Sequence, residues 1–148
     1  MDTDTVLKTA GDLLAIWTVE TSAPEPNRRD VVIEAGYLLP AVRALDEARW
    51  GYLAGITGLD LGAEAGQLEV LYHFCSGAAV VTLRVRLPRD SAVVLSICDV
   101  LPAASFYERE LREMLGVEVV GLPHQDHLFL PDDWPNGVYP LRKDAALE

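Results

Sequence analysis

The sequence predicts an α+β fold: a two-layer sandwich in which about three helices cover a mostly antiparallel sheet, followed by an extended C-terminal tail. Three observations carry this. Val81, Leu83, Val85 and Leu87 alternate with Thr82, Arg84 and Arg86, giving one dry and one wet face, the habit of an antiparallel strand. Leu38, Ala41, Val42, Leu45 and Ala48, and again Ala104, Tyr107, Leu111, Met114 and Leu115, recur at helical spacing. The last stretch sets Leu128, Phe129, Leu130, Trp134, Tyr139 and Leu141 among Pro131, Pro135 and Pro140, and proline forbids both a regular helix and a central strand.

Taken in order, Thr5 to Leu14 is predicted as a short helix, and Ala15 to Glu20, rich in β-branched and aromatic residues, as a first strand. Thr21 to Asp30, with Pro24 and Pro26, is a polar loop, and Val31 to Glu34 is a second strand. Pro40 sits where a helix tolerates its missing N–H, so the next helix runs from Pro40 to Ala48. Tyr52 to Leu61, Leu68 to Phe74 and Ala78 to Leu87 are strands, parted by Gly62 to Gln67 and by Ser76-Gly77, and Val93 to Ile97 gives a short sixth. The helix from Ala103 to Leu115 should bury Tyr107, Leu111 and Met114 and turn Arg109 and Glu113 outward. Ser105 and Glu108 have the spacing of a capping box. Glu108 with Arg112 and Arg109 with Glu113 are favourably oriented i, i+4 pairs, and Gly116 stops the helix in the left-handed conformation. The organisation that follows is an α+β domain over 1–122 and a proline-rich docking tail over 123–148. The tail cannot easily bury its large groups on itself, and reads as a strap laid on another surface.

The composition narrows the function. Half of the 148 residues are hydrophobic, enough for one core. The net charge of −11, from 23 acidic against 12 basic residues, repels phosphate backbones and anionic headgroups, so no nucleic acid is expected as a partner. The longest apolar stretch, Ala92 to Ala104, is broken by Asp99 and Pro102 and falls short of the about 20 residues of a membrane helix, so no direct membrane insertion is expected. Met1-Asp2-Thr3-Asp4 lacks the basic and apolar regions of a signal peptide, and two cysteines are a poor disulfide framework. A cytoplasmic compartment is the expectation.

Few residues carry metal-like or catalytic patterns. His124-Gln125-Asp126-His127 has two of the three or four ligands a zinc site wants, and no spaced Cys or His completes it. Cys75 and Cys98 sit in apolar, strand-like surroundings as small hydrophobes, and an iron–sulfur cluster usually takes four thiolates. His73 and Cys75 share a strand face but lack a third group to orient them. Gly62 to Gly66 fits neither a P-loop nor a dinucleotide fingerprint. Catalytic, metal and cofactor-binding residues are therefore expected to be none. The alternative is a stand-alone small metal-binding or hydrolytic domain using His124, His127 or His73, Cys75.

The order Tyr107-Glu108-Arg109-Glu110, Gly116-Val117, Gly121, Pro123, Pro131, Trp134 and Pro140-Leu141-Arg142-Lys143-Asp144 resembles the family formed by the C subunit of NADH-quinone oxidoreductase and its counterparts in the related energy-converting hydrogenases. Leu128 to Pro135 with Gly137-Val138-Tyr139 looks more like the hydrogenase branch. Leu122 stands where the family usually has histidine, and Asp126-His127 where many quinone-reducing members carry paired arginines. The resemblance implies a non-catalytic, cofactor-free peripheral subunit at the inner face of the cell membrane that braces the large subunit, with an iron–sulfur small subunit nearby. It also implies Glu108, Arg109, Glu110, Pro140, Leu141, Arg142, Lys143 and Asp144 as partner-binding residues, to which Trp134 and Tyr139 are added as aromatic anchors.

Overall fold

In a computed structural model, which describes residues 1–146, the chain forms three helices and seven strands among the described residues. The helices are α1 (Thr3–Leu14), α2 (Leu38–Glu47) and α3 (Ala104–Leu115). The strands are β1 (Glu20–Ser22), β2 (Arg28–Val32), β3 (Tyr52–Asp60), β4 (Gln67–Ser76), β5 (Ala79–Pro88), β6 (Val93–Leu95) and β7 (Glu118–Val120). Five strands make the main sheet in the order β1-β2-β5-β4-β3, antiparallel except where β2 runs parallel to β5.

Alternation along β4 and β5 decides which face is covered. Leu68, Val70, Tyr72 and Phe74 pair across the strands with Leu87, Val85, Leu83 and Val81, and all eight are buried. The helices lie on this side. Trp50, just after α2, ties its ring N–H to the Val6 carbonyl of α1 at 2.9 Å. Gly58 of β3 lets α3 come close, because a Cβ there would strike the side chains of Leu111 and Leu115. The other face carries the polar set: Arg84 bridges Asp30 and Glu69, and His73 lies between Thr57 and Thr82, at 2.9 and 3.0 Å.

The structure corrects several sequence expectations. Ala15–Trp17 is a 3-10 turn rather than a strand, because nothing halts α1 and its end tightens while Thr18 Oγ1 donates to the Leu14 carbonyl. The first strand therefore starts at Glu20, and both flanks of the expected 21–30 loop join the sheet, through Thr21-Ser22 and Arg28 to Asp30. Asn27, at φ 66°, makes the turn. The strand after Gly116 is an addition to the predicted set: β7 is three residues long, too short to show a period, and it pairs in parallel with β6 in a separate two-stranded sheet.

Candidate functional site

The last turns of α3 and the segment after β7 form one surface, and the helix is its base. Gly116, at φ 72°, ends α3 in the left-handed conformation and its amide bonds to the Arg112 carbonyl. Beyond Leu122 no residue belongs to the buried core among the described residues. Residues 123–146 contain neither helix nor strand and turn back across the outer side of α3.

Glu113 organises the crossing. Its carboxylate accepts the amides of Leu128, Phe129 and Leu130 at 2.9, 2.8 and 3.2 Å, and the His127 ring lies at 2.8 Å. Burial alone would raise the Glu113 carboxyl. The Phe129 amide, the His127 ring and the other two amides outweigh burial and hold it below its ordinary value. Glu113 does project from the outward side of α3, as its position on the helix predicts, yet the tail covers it, and its expected pair with Arg109 does not form. Arg109 donates instead to the carbonyls of Asp126 and His127, and Arg112 to that of Gln125.

Further along, the Leu141 amide donates to the Met114 carbonyl at 3.0 Å, and Arg142 Nε to the Leu115 carbonyl at 2.7 Å. The Arg142 guanidinium also lies over the Tyr139 ring, 5.3 Å from its centre. That ring packs on Gly116, where a Cβ would run into it. The end of the tail is clasped. Arg89 grips both oxygens of Asp60, at 3.0 and 2.9 Å, and reaches Asp144 at 2.7 Å, while the Lys143 amide donates to Asp60 at 2.8 Å. The Arg89 guanidinium holds the Asp60 carboxyl far below the usual range, burial opposing it and two amides adding to it, and Arg89 also lowers Asp144.

The tail thus lies against its own chain, yet none of its large groups is fully buried there: Leu128, Leu130, Trp134 and Tyr139 are half-buried, and Phe129 and Leu141 stay exposed, in line with the expectation that it cannot easily bury them on itself. Trp134 is half-buried, with its ring N–H donating to the Val138 carbonyl at 2.8 Å. With Tyr139, Gly116, Arg112 and His127 it lines a cavity of about 330 Å³ under the tail. Pro140 and Arg142 are half-buried, and Lys143 and Asp144 are exposed.

Glu108 lies elsewhere. It is wholly buried, at 0% exposure, and accepts Ser96 Oγ, the Ile97 amide and Cys98 Sγ at 2.7, 3.0 and 2.9 Å. The capping-box reading of Ser105 and Glu108 is corrected: the helix cap is Ala103, with no side-chain bond. Glu108 presents nothing to a partner and shapes the surface from beneath. Its i, i+4 pair with Arg112 is absent, and only Arg109 and Glu110 of the Glu-Arg-Glu run keep part of their surface outside. Leu111 is buried as expected, whereas Tyr107 and Met114 are half-buried. The Tyr107 hydroxyl donates to the Ala54 carbonyl at 3.2 Å.

The residues of the metal or hydrolytic alternative are not brought together. His124 is exposed, His127 is engaged with Glu113, and both His73 ring nitrogens face threonine hydroxyls rather than Cys75. Among the described residues no group of three or more His, Cys, Asp or Glu side chains is arranged to hold a metal ion. Cys98 is not a plain apolar cysteine either. Burial, with Glu108 beside it, pushes its thiol up to about 11.

Comparison with known proteins bears on this surface. The family described as respiratory-chain NADH dehydrogenase, 30 Kd subunit, matches residues 31–148. Formate hydrogenlyase subunit 5 of Escherichia coli is 36% identical over 118 residues, 78% of this chain but 21% of that protein, so the chain spans only a part of that relative's length. The C subunit of the NADH-quinone oxidoreductase of Moorella thermoacetica is 35% identical over 121 residues, 80% of either chain. Among solved structures, a chain of the membrane-bound sulfane sulfur reductase, an archaeal respiratory membrane complex, superposes with a TM-score of 0.80 at 25% identity, over 97% of this chain and 85% of that one.

Proposed function

This chain belongs to the family of the respiratory-chain NADH dehydrogenase 30 kDa subunit, and on that premise we propose that it is a non-catalytic peripheral subunit of a complex I-like membrane oxidoreductase, of the energy-converting hydrogenase branch. Its role is to brace the large subunit of that complex, with the iron–sulfur small subunit nearby, on the cytoplasmic side of the membrane. One observation carries the reading: the family match spans residues 31–148, which takes in α3 and the tail. No helix of the described residues is long and apolar enough to cross a membrane, which fits attachment through protein partners.

The geometry suits a brace. A docking segment that must be ordered on binding costs about 0.5 to 1.5 kcal/mol for each side chain immobilised. Here the tail is held beforehand by Glu113, the α3 carbonyls and the Arg89 clasp, so that cost is met within the chain. Among the interface candidates Leu141, Lys143 and Asp144 are exposed and Arg109, Glu110 and Pro140 keep part of their surface outside, while Trp134, Tyr139, Arg142 and Asp144 also hold the tail in its docking shape through their own contacts.

The test is co-purification from the native host. A tagged chain is expected to bring down the large and iron–sulfur subunits from solubilised membranes. A chain truncated after Gln125, which keeps the buried core, is expected to fold and come down alone. A truncated chain that retains both subunits at full yield would place the contact elsewhere. One zinc per chain, lost on changing His124 and His127 to alanine, would restore the metal-binding reading.

A further inference from the structure

The two aromatic groups expected to anchor the tail are spent on the chain itself: Trp134 bonds to Val138 and Tyr139 packs on Gly116. The tail's large apolar groups that remain outside are Phe129, 60% exposed, and Leu141, 58% exposed. Both are pinned by their backbones to adjacent residues of the last turn of α3, Phe129 through the Glu113 carboxylate and Leu141 through the Met114 carbonyl.

The charged tail residues nearest Phe129 in sequence are all acidic. Asp126, Asp132 and Asp133 are exposed, and none has an ion-pair partner among the described residues. No lysine or arginine occurs between Arg112 and Arg142. Arg109 and Arg112 turn their guanidinium groups to backbone carbonyls at 125–127, leaving the three aspartates to face outward. The whole chain adds to this with its net charge of −11.

We propose that Phe129, flanked in sequence by the exposed Asp126, Asp132 and Asp133, is the central contact this protein makes in its complex, and that it enters an apolar pocket rimmed by lysine or arginine on the large subunit, with Leu141 as the second contact. This rests on the assembly reading above and deepens it. A rigid aromatic group in a desolvated pocket supplies most of the grip, while the charged rim sets the encounter rate and its dependence on salt. The bonds that pin Phe129 use only its backbone amide, so changing the side chain leaves the tail in place.

The experiment measures binding of the full chain to the large and iron–sulfur subunits co-expressed without it, at 50 and 300 mM salt. Phe129→Ala is expected to bind at least tenfold more weakly with an unchanged thermal midpoint, and Phe129→Leu to recover part of the loss. The triple variant Asp126→Asn, Asp132→Asn, Asp133→Asn is expected to associate several-fold more slowly and to lose most of its salt dependence. Phe129→Ala binding as tightly as the unaltered chain overturns the proposal. So does an unchanged salt dependence in the triple variant, which removes the basic rim. If the isolated chain dimerises at micromolar concentration and Phe129→Ala abolishes that, the occupant is a second copy and the proposal falls. If the unaltered chain does not bind the two subunits at all, the assembly reading itself fails.

Discussion

Glu108 shows how one carboxylate can pass for surface decoration. Its place three residues after Ser105 copies a capping box, and its place four residues before Arg112 copies a surface ion pair. The competing signal was also in the sequence: Ala104, Glu108, Leu111 and Leu115 fall at i, i+4, i+7 and i+11, one buried stripe of a helix. What the sequence lacked were the partners, because Ser96, Ile97 and Cys98 reach Glu108 only when β6 lies beside α3. The stripe puts an acceptor where three buried donors need one. Removing it leaves them unsatisfied, and Glu108→Ala is expected to cost about 3 kcal/mol or more, against little for the half-exposed Glu110→Ala. Thermal unfolding of the two variants decides it, and equal midpoints would mean that the buried network is not stabilising.

At the scale of elements, long periodic segments were legible and contacts between distant segments were not. Strands β3, β4 and β5 and helices α2 and α3 lie within two residues of where alternation and helical spacing put them. The parallel pairing of β2 with β5 left no local mark, since it needs α2, β3 and β4 between the partners. The site was legible as a tail of unusual composition, but its seat was not: Asp60 and Arg89, which clasp its end, lie 83 and 55 residues from Lys143 and Asp144. That clasp has a pH dependence of fixed sign. Asp60, Asp144 and Glu113 have lowered values in the folded chain, so their contribution is complete above the ordinary carboxylate values of about 4. It is lost as pH falls below those values and through the folded ones. The tail is therefore expected to become protease-sensitive as the pH falls below about 4, before the far-ultraviolet signal of the sheet changes. Cleavage in the tail at the same rate at pH 6 and pH 3 would show that these carboxylates do not hold it.

The whole molecule has a sheet with all its helices on one side and a strap outside α3, so that α3 alone is covered on both faces. The core includes no residue beyond Leu122 among those described. Proteins open in cooperative units of different stability, and amide hydrogens report which unit must open before they are lost. Leu128, Phe129 and Leu130 belong to no helix or strand, and in an ordinary loop their hydrogens would exchange with solvent within seconds to minutes. Here all three point at one carboxylate. In deuterium oxide at neutral pH they are expected to be retained well beyond those of exposed Asp132 and Asp133. They should then be lost together, in one step, while the amides of β4 and β5 stay unexchanged. Glu113→Gln, which keeps one oxygen and gives up the charge, should speed the loss of all three at once. Independent exchange at three separate rates would mean that the strap frays residue by residue and does not lift as a unit.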